Sequence, residues 1–251
     1  MNSALGDMQN RKLFTVVYLA TAILLGAGTA DWAKSPVKTV LPPINTSGQY
    51  QDFQEFIKEF QVKLRAKDVK FLTAHTAKDI KWSFGGENGK NGFLTHWQIL
   101  EQPQNSSLWH ELATVIHLGC TSSPGQDGKG PSHVCPYVYS EFPDNFDAYE
   151  NLVITAKNVN IREKPLQTST IRATVSYEIV KEKSPDDSCK RQNSVKTERC
   201  QNSCDWSLIE LYSSKIQGYV CKRYLRSPID YRAIFERIND RWLLTVFVSG
   251  D

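Results

Sequence analysis

Five histidines, His75, His96, His110, His117 and His133, and six cysteines, Cys120, Cys135, Cys189, Cys200, Cys204 and Cys221, offer the most chemistry in this 251-residue chain. A Cys–His peptidase needs a thiol whose pKa is lowered, most simply at a helix N-terminus, with a histidine base in reach. Cys120 instead follows a helical pattern ending at Leu118, where the macrodipole opposes a thiolate. It also has Cys135 as a partner across the Ser-, Gly- and Pro-rich stretch Thr121 to Pro131, so a Cys120–Cys135 disulfide is the economical reading. His110 and His117 stand seven apart and share one helix face. That spacing suits metal ligation, but no HExxH-like third element accompanies it, and an exposed histidine pair is the simpler expectation. No Ser sits in a G-x-S-x-G elbow, and the loop Gly85 to Gly92 lacks a phosphate-binding fingerprint. Glu87, Glu111 and Glu141 could serve as acid or base, yet nothing in their spacing selects a pair. No catalytic residue, metal or cofactor is assigned on these grounds.

The elements that must position these residues begin after an address. Arg11 and Lys12 precede the uncharged run Leu13 to Leu25, and Gly28-Thr29-Ala30 supplies small residues, which together read as a secretory signal peptide over 1–30. The run is shorter than the roughly 18 apolar residues a membrane span needs. Cleavage after Ala30 is expected to leave a chain starting at Asp31, with no stable membrane span and in the periplasm or outside the cell. Removing Arg11, Lys12 and Asp7 takes the formal charge from +3 to +2, without the concentrated basicity of a nucleic-acid binder. All six cysteines lie beyond the cleavage point and are expected to meet an oxidising compartment, so disulfides become their default state. Residues 31–50, with Pro36, Pro42, Pro43 and Gly48, show neither helical nor strand period and read as an extended linker.

From Gln51, Phe53, Phe56, Ile57, Phe60 and Leu64 follow helical spacing with charges opposite. Asp68 suits the cap of a second short helix, and Ile80, Trp82 and Phe84 alternate like a strand. Ser107 is placed to cap a helix over Leu108 to Leu118, which Gly119 ends in the left-handed conformation. His133, Val134, Tyr137, Val138 and Tyr139 suggest a further strand. At the other end of the chain, Tyr231 to Gly250 reads as a hairpin turning at Asn239-Asp240. Its second strand is nearly continuously apolar from Trp242 to Val248, and so is expected to be buried on both faces. The first domain has more helix than sheet to cover its aromatic stripe, so the hairpin is expected to return to it. The architecture predicted is an α+β domain over 51–150 plus 229–251, with an all-β module inserted at 151–228. A helix-first domain ending on a Trp-containing strand loosely resembles the nuclear-transport-factor-2-like (cystatin-like) superfamily.

Within the insertion, Val159-Asn160-Ile161-Arg162 leads to Pro165, then to Ile171, Val175, Ile179 and Val180, then to Trp206, and finally to Gly218-Tyr219-Val220 with Tyr224-Leu225. This ordered set, over about 153–227, resembles the bacterial SH3-like (SH3b) family. The resemblance implies an SH3-like barrel, a bacterial source, and a partner that is a cell-wall component or an envelope protein: a peptidoglycan peptide, a glycan or a protein. Two departures stand out. The family's glycine in the turn before the third strand is replaced around Ser176-Tyr177, and 184–203 is a long polar insertion holding Cys189 and Cys200. If Ser207 to Leu211 and Lys215 to Val220 form a hairpin, Cys204 and Cys221 meet at its open end, which leaves Cys189 with Cys200. A zinc site on Cys189, Cys200, Cys204 and Cys221 is the alternative, but paired CxxC knuckles are missing. Tyr177, Trp206, Tyr219 and Tyr224 are the aromatic residues expected to contact ligand, through ring faces and their OH or NH groups. Trp206 and Tyr219 also sit where the family builds its core. The function expected is a non-enzymatic envelope-binding role. The alternative is an envelope hydrolase whose α+β domain is catalytic and whose barrel targets it.

Overall fold

A computed structural model of the chain describes residues 39–123, 130–183 and 204–250. The architecture is mixed α+β, with two sheets and short helices. The signal-peptide reading, the first part of the 31–50 stretch, and Cys189 with Cys200 lie outside the described residues.

Helix α1 (Gln51–Arg65) forms where the sequence places its apolar stripe, and Phe53, Ile57, Phe60 and Leu64 are buried along it. Asp68 caps α2 (Val69–Ala74) by accepting from the backbone N–H of Phe71, which holds its carboxyl below the ordinary range. Strand β1 (Thr76–Lys81) stops short of the alternation predicted through Phe84. Trp82 turns against His96, while Phe84 stands exposed over the Arg232 guanidinium, 5.6 Å from its ring centre. A short helix α3 (Lys90–His96) follows, then α4 (Leu108–His117), which buries Leu108, Trp109, Leu112, Val115 and Ile116. Ser107 caps nothing with its side chain; Ser106 Oγ accepts from Leu108 N–H instead. Gly119 ends the helix at φ 93°, a conformation that costs glycine little.

Strands β2 (Thr121–Ser123) and β3 (Ser132–Cys135) are joined by the Cys120–Cys135 disulfide. The strand expected to run on through Tyr139 ends at Cys135. Pro136 follows in a cis peptide, and Tyr137–Ser140 coils into the one-turn helix α5. Proline offers no N–H to extend the pairing, which accounts for the stop.

The first sheet has the order β1-β12-β11-β3-β2, where β11 (Arg232–Ile238) and β12 (Arg241–Val248) form the C-terminal hairpin. Asn239 and Asp240 carry the turn at φ 48° and 59°. Strand β12 runs parallel to β1 and antiparallel to β11, so it is interior to the sheet. That position explains its nearly continuous apolar run: Trp242, Leu243, Leu244, Phe247 and Val248 are all buried. Phe53, Phe56 and Phe60 of α1 close on Phe235 of β11 at centroid distances of 5.9, 5.8 and 5.4 Å. Fully burying each such ring contributes about 1.5–3 kcal/mol, so the hairpin and α1 depend on one another.

The second sheet takes β4 (Asn151–Ile154), β5 (Val159–Arg162), β6 (Ile171–Val175), β7 (Ile179–Glu182), β8 (Trp206–Leu211), β9 (Gln217–Cys221) and β10 (Leu225–Arg226) in the order β10-β4-β7-β8-β9-β5-β6. Every pairing is antiparallel. Ile154, Val159, Ile161, Val180, Ile209, Leu211 and Val220 converge on one cluster, so the sheet curls around its own core. The edge strands β6 and β10 do not pair with each other, and no closed barrel is formed among the described residues. Gly218 is the residue that lets β9 approach β5. A Cβ there would lie 2.6 Å from the Arg162 carbonyl oxygen and 2.7 Å from Ile161 Cγ2. Cys204 bonds to Cys221 at the open end of the β8–β9 hairpin. Arg162 Nη1 donates to the Ser169 carbonyl and so ties down the loop that holds Pro165.

The two sheets meet through a third cluster of Leu41, Tyr137, Val138, Phe146, Val153 and Ile179. Along β4 the faces alternate: Leu152 and Ile154 point into the curled sheet and Val153 into this junction. The described part of the expected linker belongs here too. Val40 bridges to Glu178, Leu41 N–H donates to Tyr177 O, and Leu41 is buried. The stretch is extended about Val40 and Leu41 but coils into a 3-10 turn at Thr46–Gln49, which its composition did not suggest, and it packs down instead of spanning open solvent.

Candidate functional site

A cleft of about 670 Å³ opens where α1 and α4 face the edge of the second sheet. One wall is a helix stripe: Gln61 and Arg65 of α1, and His110, Ala113, Thr114 and His117 of α4. The seven-residue spacing noted in the sequence puts both histidines, each exposed, on this wall. The opposite wall is Thr155 and Ala156 after β4, then Lys222, Arg223 and Tyr224 in the turn after β9, and Leu225 and Arg226 of β10.

Charge in the cleft has one sign. Four permanent cations, Arg65, Lys222, Arg223 and Arg226, line it, and no carboxylate does among the described residues. Two of the four have committed partners. Lys222 Nζ sits 2.9 Å from Asp205, and Arg226 is clamped by Asp230 at 2.9 Å and by the Tyr231 carbonyl at 2.9 Å. Burial pushes the Arg226 guanidinium below its ordinary value, with Asp230 and Glu111 opposing, and its Nε is buried without a partner. An arginine remains charged under such conditions. Arg65 and Arg223 face no carboxylate within ion-pair range among the described residues. Arg223 lies 5.6 Å from the centre of the Tyr224 ring, and its Nε contacts Cys221 Sγ.

Of the four aromatic residues singled out in the sequence, only Tyr224 lines this cleft. Tyr177 occupies the turn before β7 at φ 57°, the left-handed position where the family pattern has glycine, and its backbone bonds to Ala156 and Leu41. Trp206 is half-buried opposite Cys221, and its indole Nε1 is buried with no hydrogen-bond partner among the described residues. Tyr219 is half-buried on β9, opposite Leu208 and Arg162. Trp206 and Tyr219 share one face of the β8–β9 hairpin, and neither lines the cleft.

No spacing in the sequence points to a serine–histidine contact, yet Ser122 Oγ lies 2.7 Å from His133 Nδ1. They pair across β2 and β3, whose register sets Ser122 opposite His133. His133 has no exposed surface, stacks on Phe53 at 3.6 Å, and meets Tyr50 and Trp242 edge-on. Burial pushes its pKa down to about 4, against the pull of Asp52. Its Nε2 is buried without a partner among the described residues, and none of their carboxylates orients the ring as a catalytic base would require. His75 is likewise occupied, bonded to the Phe71 carbonyl and stacked on its ring at 4.0 Å. His96 and Trp97 beneath the Gly85 to Gly92 loop pack among Trp82, Tyr231 and Phe247, which makes an aromatic layer and no convergence of polar groups. No cluster of three or more His, Cys, Asp or Glu suited to a metal occurs among the described residues.

Comparison with known proteins adds nothing to this geometry: no family model, curated protein or solved structure matches the chain. Two disulfides within the described residues fit a protein that matures in an oxidising compartment, and none of the described helices is long and apolar enough to cross a membrane.

Proposed function

We propose that this is a non-enzymatic binding protein of the bacterial cell envelope, periplasmic or secreted, whose residues 151–228 are an SH3-like module inserted in an α+β domain. The observation that carries the reading is the cleft itself, where Tyr224 at the edge of that module faces His110 and His117 of α4. A pocket of about 670 Å³ is of the size that holds a small ligand or a short stretch of polymer. Its lining offers cations, imidazoles, a phenol and apolar patches, and includes no paired nucleophile and base. The V-N-I-R strand, the Gly218-Tyr219-Val220 strand and the curled sheet support the SH3-like assignment, and the disulfides and the signal-like first thirty residues support the compartment.

The test is retention of the purified protein on peptidoglycan sacculi. Binding should fall at least tenfold in Tyr224→Ala and stay unchanged in Tyr177→Ala, each checked for folding by circular dichroism. Equal retention of both variants would remove the cleft from the reading. Release of soluble fragments from the sacculi by the wild-type protein would replace it with the hydrolase alternative.

A further inference from the structure

We infer that the cleft between α4 and β10 takes a short acidic peptide, its carboxylates held by Arg65 and Arg223. The inference rests on the reading of this cleft as a binding site and names what it binds. The first ground is charge: Lys222 and Arg226 are neutralised by Asp205 and Asp230, whereas Arg65 and Arg223 stand in the cleft without a carboxylate among the described residues. A guanidinium has a planar fork of donors that meets a carboxylate two bonds at a time, and two such forks on opposite walls ask for a ligand with more than one acidic group.

The second ground separates a peptide from a free phosphate or a polyphosphate chain. Beside its hydroxyls and imidazoles the lining holds Ala113, Leu118, Ala156, Leu225 and the Tyr224 ring, apolar surface that a phosphate chain would desolvate for no return. A peptide can lay an apolar side chain there. The strand edge adds nothing to this: β10 has two residues and the Leu225 N–H is already given to the Lys222 carbonyl, so the peptide is held by side chains.

The experiment is fluorescence anisotropy with the full protein and a fluorescein-labelled hexapeptide, Ala-Glu-Leu-Glu-Ala-Ala, beside its counterpart with both Glu replaced by Gln. The acidic peptide should bind and the Gln form should bind at least tenfold more weakly. Arg65→Gln and Arg223→Gln should each cost about tenfold, as expected for loss of a charge-assisted bidentate contact. Both side chains are exposed, so the variants keep their fold, which a thermal melt verifies. Equal affinity for the two peptides, an unchanged double variant, or displacement by pyrophosphate at the concentration of unlabelled peptide that displaces half the probe would each overturn the inference. Sacculus retention separates the two readings. Retention that depends on Tyr224 but survives Arg65→Gln with Arg223→Gln refutes the acidic peptide and leaves the envelope role. Acidic-peptide binding without sacculus retention refutes the cell-wall target and leaves the cleft's chemistry intact.

Discussion

Acid should destabilise this fold through one ring. His133 is buried between Phe53, Tyr50 and Trp242, and its folded pKa is pushed down to about 4 by burial, from the ordinary 6.5 of an unfolded chain. Because the folded value is the lower one, the unfolded chain binds a proton that the folded chain refuses throughout the window from about pH 6.5 to pH 4. Stability from this group is therefore complete above pH 6.5 and drains away as pH falls towards 4. Each pKa unit is worth 1.36 kcal/mol, so lowering the pH from 7 to 4.5 should remove about 2 kcal/mol through His133 alone. Asp68 and Glu210 also have lowered pKa values, held down chiefly by hydrogen bonds, and their contributions begin to be lost near the ordinary values of 3.8 and 4.5, at the acid end of that window. The assay is urea denaturation with disulfides intact, followed by tryptophan fluorescence at pH 7.0, 5.5 and 4.5. With an m-value near 2 kcal/mol/M, the midpoint of the wild-type protein should fall by about 1 M urea. His133→Phe keeps a flat ring on Phe53 and removes the titration and the unpartnered Nε2, so its midpoint should hardly move over the same range. A variant that loses as much stability as the wild type would show that another group carries the acid response.

Three further substitutions probe the packing. Gly218→Ala drives a Cβ into the Arg162 carbonyl and Ile161, neither of which can swing aside, and should cost about 1–3 kcal/mol in a thermal melt; an unchanged midpoint would mean that β5 and β9 are not in close contact. Phe235→Ala empties the centre of the ring cluster made with Phe53, Phe56 and Phe60 and should cost about 3–5 kcal/mol; a loss below about 1 kcal/mol would refute the dependence of α1 on the C-terminal hairpin. Replacing Cys120 and Cys135 together by Ser opens a loop with sequence separation 15 and should cost about 3 kcal/mol in urea, whereas an unaltered midpoint would show that β2 and β3 hold their register without the bond.

What could be read in the sequence was local or periodic. The α1 stripe, the Asp68 cap, the left-handed Gly119 and the Asn239-Asp240 turn each follow from a few neighbouring residues and elementary sterics. The apolar run of β12 also announced an interior strand, and with it the need for neighbours on both sides. The failures came where tertiary partners overrode local pattern. Tyr137, Val138 and Tyr139 alternate like a strand, but after Pro136 they wind into α5, because Tyr137 and Val138 fill the junction between the sheets better from one helical turn. Trp82 and Phe84 alternate too, yet Trp82 finds its place against His96 and Phe84 finds none inside. The Ser122–His133 contact depends on the register of two short strands, which no spacing within either strand reveals.

The cleft shows why function was the least legible part. Its helix wall was half visible, since His110 and His117 share a face by spacing alone. The other wall comes from the turn after β9, far along the chain, and it reaches α4 only because the junction cluster packs the second sheet against the first. Composition conceals the result: a net charge of +3 spreads to nothing on average, while the fold sets Arg65, Lys222, Arg223 and Arg226 around one opening. Recognition by such a site depends on the local excess of one sign over a few ångströms, because charges farther apart than the roughly 8 Å screening length at physiological salt are largely hidden from one another. The aromatic residues drew attention in the sequence because their rings are conspicuous, and of the four only Tyr224 lines the cleft. The arginines that face no carboxylate among the described residues are inconspicuous in sequence, and that arrangement, a property of the folded chain alone, is the ground on which an acidic ligand is inferred.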